Sequence, residues 1–169
     1  MNQFKNKKII ITGGRGYIGS KLSNFFSHID CELVIIDNSK HNWRPEGSKS
    51  KINYHKLNLS KKIKSSQLNI FKDFDYIFHL ASKDIDYNRD IQIDYEINAL
   101  ATYNILDFCQ KLKIFPKIIY ASAAMIYGNV KNIPVNEKNA DMPPSLWAIH
   151  KLISENYLNF APDYMSFLA

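Results

Sequence analysis

Cysteine is scarce in this chain: two, Cys31 and Cys109, occur in 169 residues. They lie far apart and form neither a CxxC pair nor a Cys/His cluster, so a disulfide framework or metal site has no support. Both are expected as core thiols. Long apolar runs are missing as well, and the opening MNQFKNKK lacks the apolar stretch of a signal peptide. The expectation is a cytoplasmic protein with no membrane partner. Arginine is rare, with only Arg15, Arg44 and Arg89 among 22 basic residues. The net charge of +6 is otherwise carried by scattered lysines, with small clusters at Lys49–Lys51 and Lys61–Lys64. Such clusters suit a solvated surface better than a nucleic-acid partner, and none is expected. There are no internal repeats and no second compositional region, so residues 1–169 are expected to form one domain.

What is present begins at Lys8. Ile9, Ile10 and Ile11 form a run expected to be a strand buried on both faces, and TGGRGYIGS follows at once. Gly13, Gly16 and Gly19 stand three apart. At that spacing a chain leaving a strand can turn tightly, admit a phosphate to bare backbone and pack a new helix against the sheet. Glycine triplets also occur in ordinary loops, so the context decides. Tyr17, Ile18, Leu22, Phe25, Phe26 and Ile29 recur at helical spacing to about His28. Glu32–Asp37 is a second apolar run with an acid at its carboxyl end, 18 residues after Gly19. An acid there can accept hydrogen bonds from ribose hydroxyls and would repel a 2′-phosphate. The alternative is a turn aspartate before Asn38.

Beyond a polar loop from Asn38 to Lys51, strands are predicted at Ile52–Leu57, Tyr76–Leu80 and Lys117–Ala121, with a sixth at Met165–Leu168. Ser60 is expected to cap a modest helix reaching about Phe71. The longest helical pattern runs from Asp90 to Leu112, with Asn98 and Asn104 as polar intruders. Ser145 is expected to cap a last helix from Leu146 to about Phe160. This alternation predicts an α/β fold, a doubly wound parallel sheet with helices on both faces. Right-handed crossovers then bring Gly13, Asp37, Ala81 and Ser122 to one sheet edge, where ligands bind in such folds.

In order and spacing, TGGRGYIGS, Asp37-Asn38, His79-Leu80-Ala81, Ile97-Asn98 to Asn104 and Ser122…Tyr127-Gly128 resemble the extended short-chain dehydrogenase/reductase superfamily. Within it they are most similar to NAD-dependent nucleotide-sugar epimerases and dehydratases. The resemblance covers nearly the whole chain and implies a Rossmann-like domain with NAD as cofactor. Carried over, it gives Gly13, Gly16, Tyr17, Ile18 and Gly19 to the pyrophosphate turn, and Asp37 and Asn38 to the adenosine ribose. Asn58 and Leu59 stand where the family usually has Asp and an apolar residue touching adenine. An amide oxygen can still accept the adenine amino hydrogen bond, so a modest change is expected. Leu80, Ala81 and Ser82 match the segment lining the cofactor, and Asn98 the asparagine of the long helix, whose alternative role is helix packing. Ala121 and Ser122 close the cofactor set, with Lys151.

The catalytic end departs from the family. The Ser or Thr that bonds the sugar hydroxyl is Ala123, and the tyrosine of Tyr-x-x-x-Lys is Trp147, while Lys151 is in place. That tyrosine takes a hydroxyl proton as hydride leaves; an indole N–H donates only and cannot. Losing general-base help removes about 10² to 10⁴ of rate. Tyr127 and His150 are the candidate substitutes, although His150, adjacent to Lys151 on a helix, should point roughly 100° away from it and pack or be solvated. Two functions stay open: an epimerase/dehydratase-type enzyme of a nucleotide sugar with impaired catalysis, or a non-catalytic NAD-binding module with a regulatory or structural role. Family members also continue into a C-terminal substrate lobe, expected to be absent here, so the chain is a fragment or a short form. Homodimers of the family pair through the long helix and the Lys151 helix, where Leu100, Tyr103, Leu152 and Tyr157 could serve unless they are core.

Overall fold

The computed structural model describes residues 2–39, 47–83, 90–130, 133–137, 142–161 and 167–168. Most of the polar loop after Ser39, including Arg44, lies outside the described residues, as do Arg89, Met165 and Ser166. Six strands form one sheet: β1 (Lys8–Thr12), β2 (Glu32–Asp37), β3 (Lys51–Lys56), β4 (Tyr76–His79), β5 (Lys117–Tyr120) and β6 (Phe167–Leu168). Their order is β3-β2-β1-β4-β5-β6, and every pairing is parallel. The chain winds outward from β1 to β3, then crosses back to β4 on the other side of β1. That reversal opens a crevice beyond the carboxyl ends of β1 and β4.

Side-chain alternation along β1 and β2 shows why the sheet is covered twice. Ile10, Val34 and Ile36 point into a core with Ile77, Ile118, Ala101, Ile105 and Phe108. Ile9, Ile11, Leu33 and Ile35 point into a second core with Phe26. Successive residues of a strand face opposite sides, so an unbroken apolar run demands a layer on each. Helix α1 (Tyr17–Ser27) supplies Phe26 to one layer, and α3 (Ala101–Leu112) supplies Ile105 and Phe108 to the other. Each fully buried isoleucine contributes roughly 1.5–3 kcal/mol relative to exposure, and Ile9, Ile10 and Ile11 are all completely enclosed. Both cysteines are buried and free, as expected of core thiols.

The structure corrects one helix prediction and refines another. Ser60 caps nothing: the helical segment is a tight turn confined to Ser65–Phe71, while the Ser60 N–H and Oγ both donate to Asn58 Oδ1. The long helix runs without a gap from Ile91 to Leu112, as expected, but with a π turn inside it. Helix α2 (Ile91–Tyr95), capped by the Asp90 carboxylate on Ile93 N at 3.0 Å, runs into a π turn over Glu96–Leu100 before α3. There Ala101 N–H reaches back to Glu96 O, and the wider turn re-aims Asn98, a distortion frequent at functional sites. Helix α4 (Leu146–Asn159) starts as predicted, with Ser145 Oγ accepting from Ala148 N at 3.2 Å.

Candidate functional site

Beyond Thr12 the chain turns at Gly13, whose φ of +65° belongs to the left-handed region. A Cβ at Gly13 would stand 2.7 Å from Ala81 N, and one at Gly19 would stand 2.1 Å from Gly13 O. Backbone therefore packs where side chains cannot. Gly16 N–H closes the turn on Gly13 O at 3.0 Å. Gly16 is also the N-cap of α1, with no side chain capping the helix. The N–H groups of the first turn and the positive end of the helix dipole are left for an anion. Tyr17 and Ile18 do not line this cleft and are exposed.

A cleft of about 470 Å³ runs from this turn along the carboxyl ends of β1, β2, β3 and β4. Asp37, Asn38, Asn58, Leu59, Leu80, Ala81 and Ser82 line it together with Gly13 and Gly16. The Asp37 carboxylate is oriented by two backbone donors, Arg15 N–H on Oδ2 at 3.0 Å and Ser39 N–H on Oδ1 at 2.8 Å. Arg15 was missed as a site residue. Its guanidinium donates to Ser39 O at 3.0 Å and lies 5.4 Å from the Tyr54 ring centroid. The signal was a charged side chain inside the glycine turn. At Asn58 the structure overturns the expected acceptor, because Oδ1 is already engaged by the Ser60 N–H at 3.0 Å and Ser60 Oγ at 2.8 Å. Asn104, an intruder on the helix face, donates to Leu59 O at 2.7 Å and so holds the neighbouring loop.

Asn98 reaches the cleft through Ser82 and Lys83 rather than by facing it. Its Oδ1 accepts from Ser82 Oγ at 2.8 Å and Lys83 N at 3.0 Å, and its Nδ2 donates to Lys83 O at 3.2 Å and to Asp94. Behind it runs a buried polar chain that was not foreseen. Ala81 N–H donates to Thr12 Oγ1 at 3.2 Å, and Thr12 Oγ1 meets His79 Nδ1 at 2.7 Å. His79 Nε2 then meets Thr102 Oγ1 at 3.0 Å. Ser154 Oγ lies 2.8 Å from Thr102 Oγ1 and 2.7 Å from Asn98 O. A backbone N–H must donate and a carbonyl must accept, so the hydrogens order themselves in one direction from Ala81 to Asn98. Ser154 gives its single hydrogen to Asn98 O, Thr102 donates to Ser154, and His79 is the neutral Nε2–H tautomer. Full burial, with the Lys151 charge adding to it, pushes His79 down to about 3.

Lys151 is buried at the next strand end, its Nζ donating to Ala121 O at 2.9 Å. Burial pulls it down to about 8, with the Asp94 carboxylate opposing part of the change. The ring it lies against is Tyr120, 4.9 Å to the centroid, with Trp147 at 5.7 Å. Tyr127 sits in a short turn, Ala124–Tyr127, and has no hydrogen bond or ring contact with Lys151 among the described residues. Tyr120 is thus the phenol beside the lysine, yet burial raises its pKa, the wrong direction for a base. Trp147 Nε1–H donates to Lys83 O at 2.7 Å. His150 packs edge-on against Tyr95 and faces Asp94 with Nδ1 3.2 Å from Oδ2. Ser122 Oγ is buried without a partner among the described residues. No cluster of three metal-ligating side chains occurs among the described residues, and no described helix is long and apolar enough to cross a membrane.

Residues 9–167 match the family model for the NAD dependent epimerase/dehydratase family. D-erythronate dehydrogenase of Haemophilus influenzae is 30% identical over 158 residues, covering 90% of this chain and 49% of that protein. UDP-N-acetylglucosamine 4-epimerase from Methanobrevibacter ruminantium, solved with UDP-N-acetylmuramic acid, superposes with a TM-score of 0.82 at 27% identity. The match covers 96% of this chain and 53% of that one. WbmG of Bordetella bronchiseptica in complex with NAD shares the fold at 21% identity, with a TM-score of 0.78 over 93% of this chain and 50% of that one. The chain thus spans about half the length of these relatives. With a match over most of its length and a doubly wound Rossmann-like sheet, it belongs to the NAD dependent epimerase/dehydratase family.

Proposed function

We propose that this chain binds NAD along the cleft and is an epimerase/dehydratase-type protein of a nucleotide sugar, with its proton-transfer step impaired. The residues present suit the cofactor. Gly13 and Gly19 leave room only for backbone, and Ser39 Oγ is a buried hydroxyl without a partner among the described residues, at the rim beside Asp37. When bound, NAD supplies a hydride acceptor. Asp37 would hold the adenosine ribose, the start of α1 the pyrophosphate, and Ser122 with Lys151 the opposite end. The carboxylate favours NAD over a 2′-phosphorylated form.

The observation that carries the impairment is the setting of Lys151. The backbone carbonyl, the indole and the buried phenol around it do not accept a proton near neutral pH, which leaves Lys151, itself lowered to about 8, without an activated phenol beside it to take a sugar hydroxyl proton. Ala123 offers no hydroxyl to orient a sugar. A second reading, a non-catalytic NAD-binding module, is favoured by one contact, the Trp147 indole bonded to Lys83 O. That bond ties the indole to the segment after β4. Binding of NAD, followed by turnover on UDP-, GDP-, CDP- and dTDP-sugars, tests both readings beside the Ala123→Ser/Trp147→Tyr double variant. Activity only in the variant supports impairment, and robust activity in the natural sequence refutes it. Absence of NAD binding refutes the cleft assignment.

Homodimerisation belongs to the same proposal. Tyr103 on α3 and Tyr157 on α4 meet edge-to-face at 5.8 Å, beside an exposed Phe160. That outer surface joins the two helices through which the family pairs.

A further inference from the structure

On the β4 side the cleft is lined as far as Ser82 and Lys83, while Ser122, Trp147 and Lys151 lie outside it. What stands between the two ends is the Trp147 indole. Its Nε1–H donates to Lys83 O at 2.7 Å, and its ring lies 5.7 Å from Lys151 Nζ. The indole thus bridges the segment after β4 to the lysine of α4. The Lys83 backbone is fully engaged there. Its carbonyl accepts from the indole and from Asn98 Nδ2 at 3.2 Å, and its N–H donates to Asn98 Oδ1 at 3.0 Å. Lys151 is enclosed as well. It is 3% exposed, donates to Ala121 O at 2.9 Å and sets its charge against the rings of Tyr120 and Trp147. A ligand running from the cleft toward Lys151 therefore meets the indole first, and reaches the ammonium only by breaking the bond to Lys83 O.

We propose that Trp147 closes the lysine end of the site, so that the cleft binds the adenosine diphosphate half of the dinucleotide alone and takes ADP at least as tightly as NAD. The inference rests on the dinucleotide reading of the cleft. The groups that the open part offers are Asp37, for ribose hydroxyls, and the uncapped start of α1, for a pyrophosphate. Both belong to the half that the two ligands share. The second ribose and the nicotinamide, which NAD adds, stay outside the closed indole. Ser122 and Lys151 hold that end only in a state in which the indole has swung aside, and a ligand favours such a state only by binding it better.

The test is calorimetric titration of the full chain with ADP and with NAD, for the natural sequence, Trp147→Ala and Trp147→Phe. A bond from a freed Lys151 to a ribose hydroxyl is worth about tenfold in Kd. The natural chain should bind ADP at least as tightly as NAD, and in Trp147→Ala the ADP-to-NAD Kd ratio should rise about tenfold. A smaller rise is expected in Trp147→Phe, which keeps a ring but loses the bond to Lys83 O. NAD binding about tenfold or more tighter than ADP in the natural chain overturns the inference while leaving dinucleotide binding intact, and this comparison decides even if both variants fold poorly. A ratio unchanged in two folded variants overturns it too. Failure of the natural chain to bind either ligand overturns both the inference and the reading of the cleft.

Discussion

Replacing Lys151 by methionine removes a cation that the fold keeps out of water, and the consequence depends on pH in a defined sense. Burial lowers the Lys151 pKa from 10.5 to about 8 in the folded chain. That displacement corresponds to about 3 kcal/mol of folding free energy. The folded value lies below the unfolded one, so between about pH 8 and 10.5 the unfolded chain holds a proton that the folded chain has released. Stability attributable to this group therefore rises with pH across that window, and the cost is fully present below it. Against the gain in the variant stands the lost hydrogen bond to Ala121 O at 2.9 Å, about 1–1.5 kcal/mol. The methionine chain keeps much of the packing between Tyr120 and Trp147. At pH 7 the Lys151→Met chain should be more stable by about 1–2 kcal/mol. At pH 10 that advantage should vanish or reverse. Urea unfolding of both chains at the two pH values checks this, because the other titrating groups cancel in the difference. A difference that stays constant to within about 0.5 kcal/mol between pH 7 and pH 10 would refute a buried, charge-strained lysine.

Other perturbations probe the remainder of the site. Gly19→Ala forces a Cβ to within 2.1 Å of Gly13 O, so it should lower the unfolding midpoint and abolish NAD binding by calorimetry; wild-type affinity would contradict the close-packed turn. Asp37→Ala leaves Arg15 N and Ser39 N without their acceptor, which should cost about 1–3 kcal/mol in urea unfolding and weaken NAD more than NADP. His79 should stay neutral as the Nε2–H tautomer at pH 5 by nitrogen NMR. With its folded pKa about 3 against 6.5 unfolded, stability falls as pH drops through that interval, and a histidine titrating near 6 in the folded chain would refute the ordered polar chain.

Much of the fold was legible because β1 and β2 are short, have unbroken apolar centres and are followed by unambiguous punctuation. Ile9–Ile11 and Leu33–Ile36 could only be strands with a layer on each face, and Gly13 and Asp37 end them on the same edge. The long helical pattern was visible, but not its π turn, since Asn98 becomes an anchor for Ser82, Lys83 and Ser154 only through residues distant in sequence. For the same reason the chain from Ala81 to Ser154 through His79 escaped notice: buried threonines and serines carry no periodic signal. Asn58 was identified, while the direction of its amide was decided by Ser60, which looked like a helix cap. Arg15 was overlooked because the glycines around it drew the pattern. At Lys151 the sequence showed which partner was missing, and only the structure showed that Tyr120 rather than Tyr127 stands beside it.

The most direct measurement is a single-turnover experiment on the NAD-loaded chain, following the near-ultraviolet absorbance of reduced nicotinamide after nucleotide-sugar addition. The natural sequence should bind NAD and show no reduction on the mixing timescale, whereas Ala123→Ser/Trp147→Tyr should reduce it at least about a hundredfold faster. Rapid reduction by the natural sequence, unchanged in the double variant, would contradict the claim that this site holds its cofactor without the hydroxyls at positions 123 and 147 needed to use it efficiently.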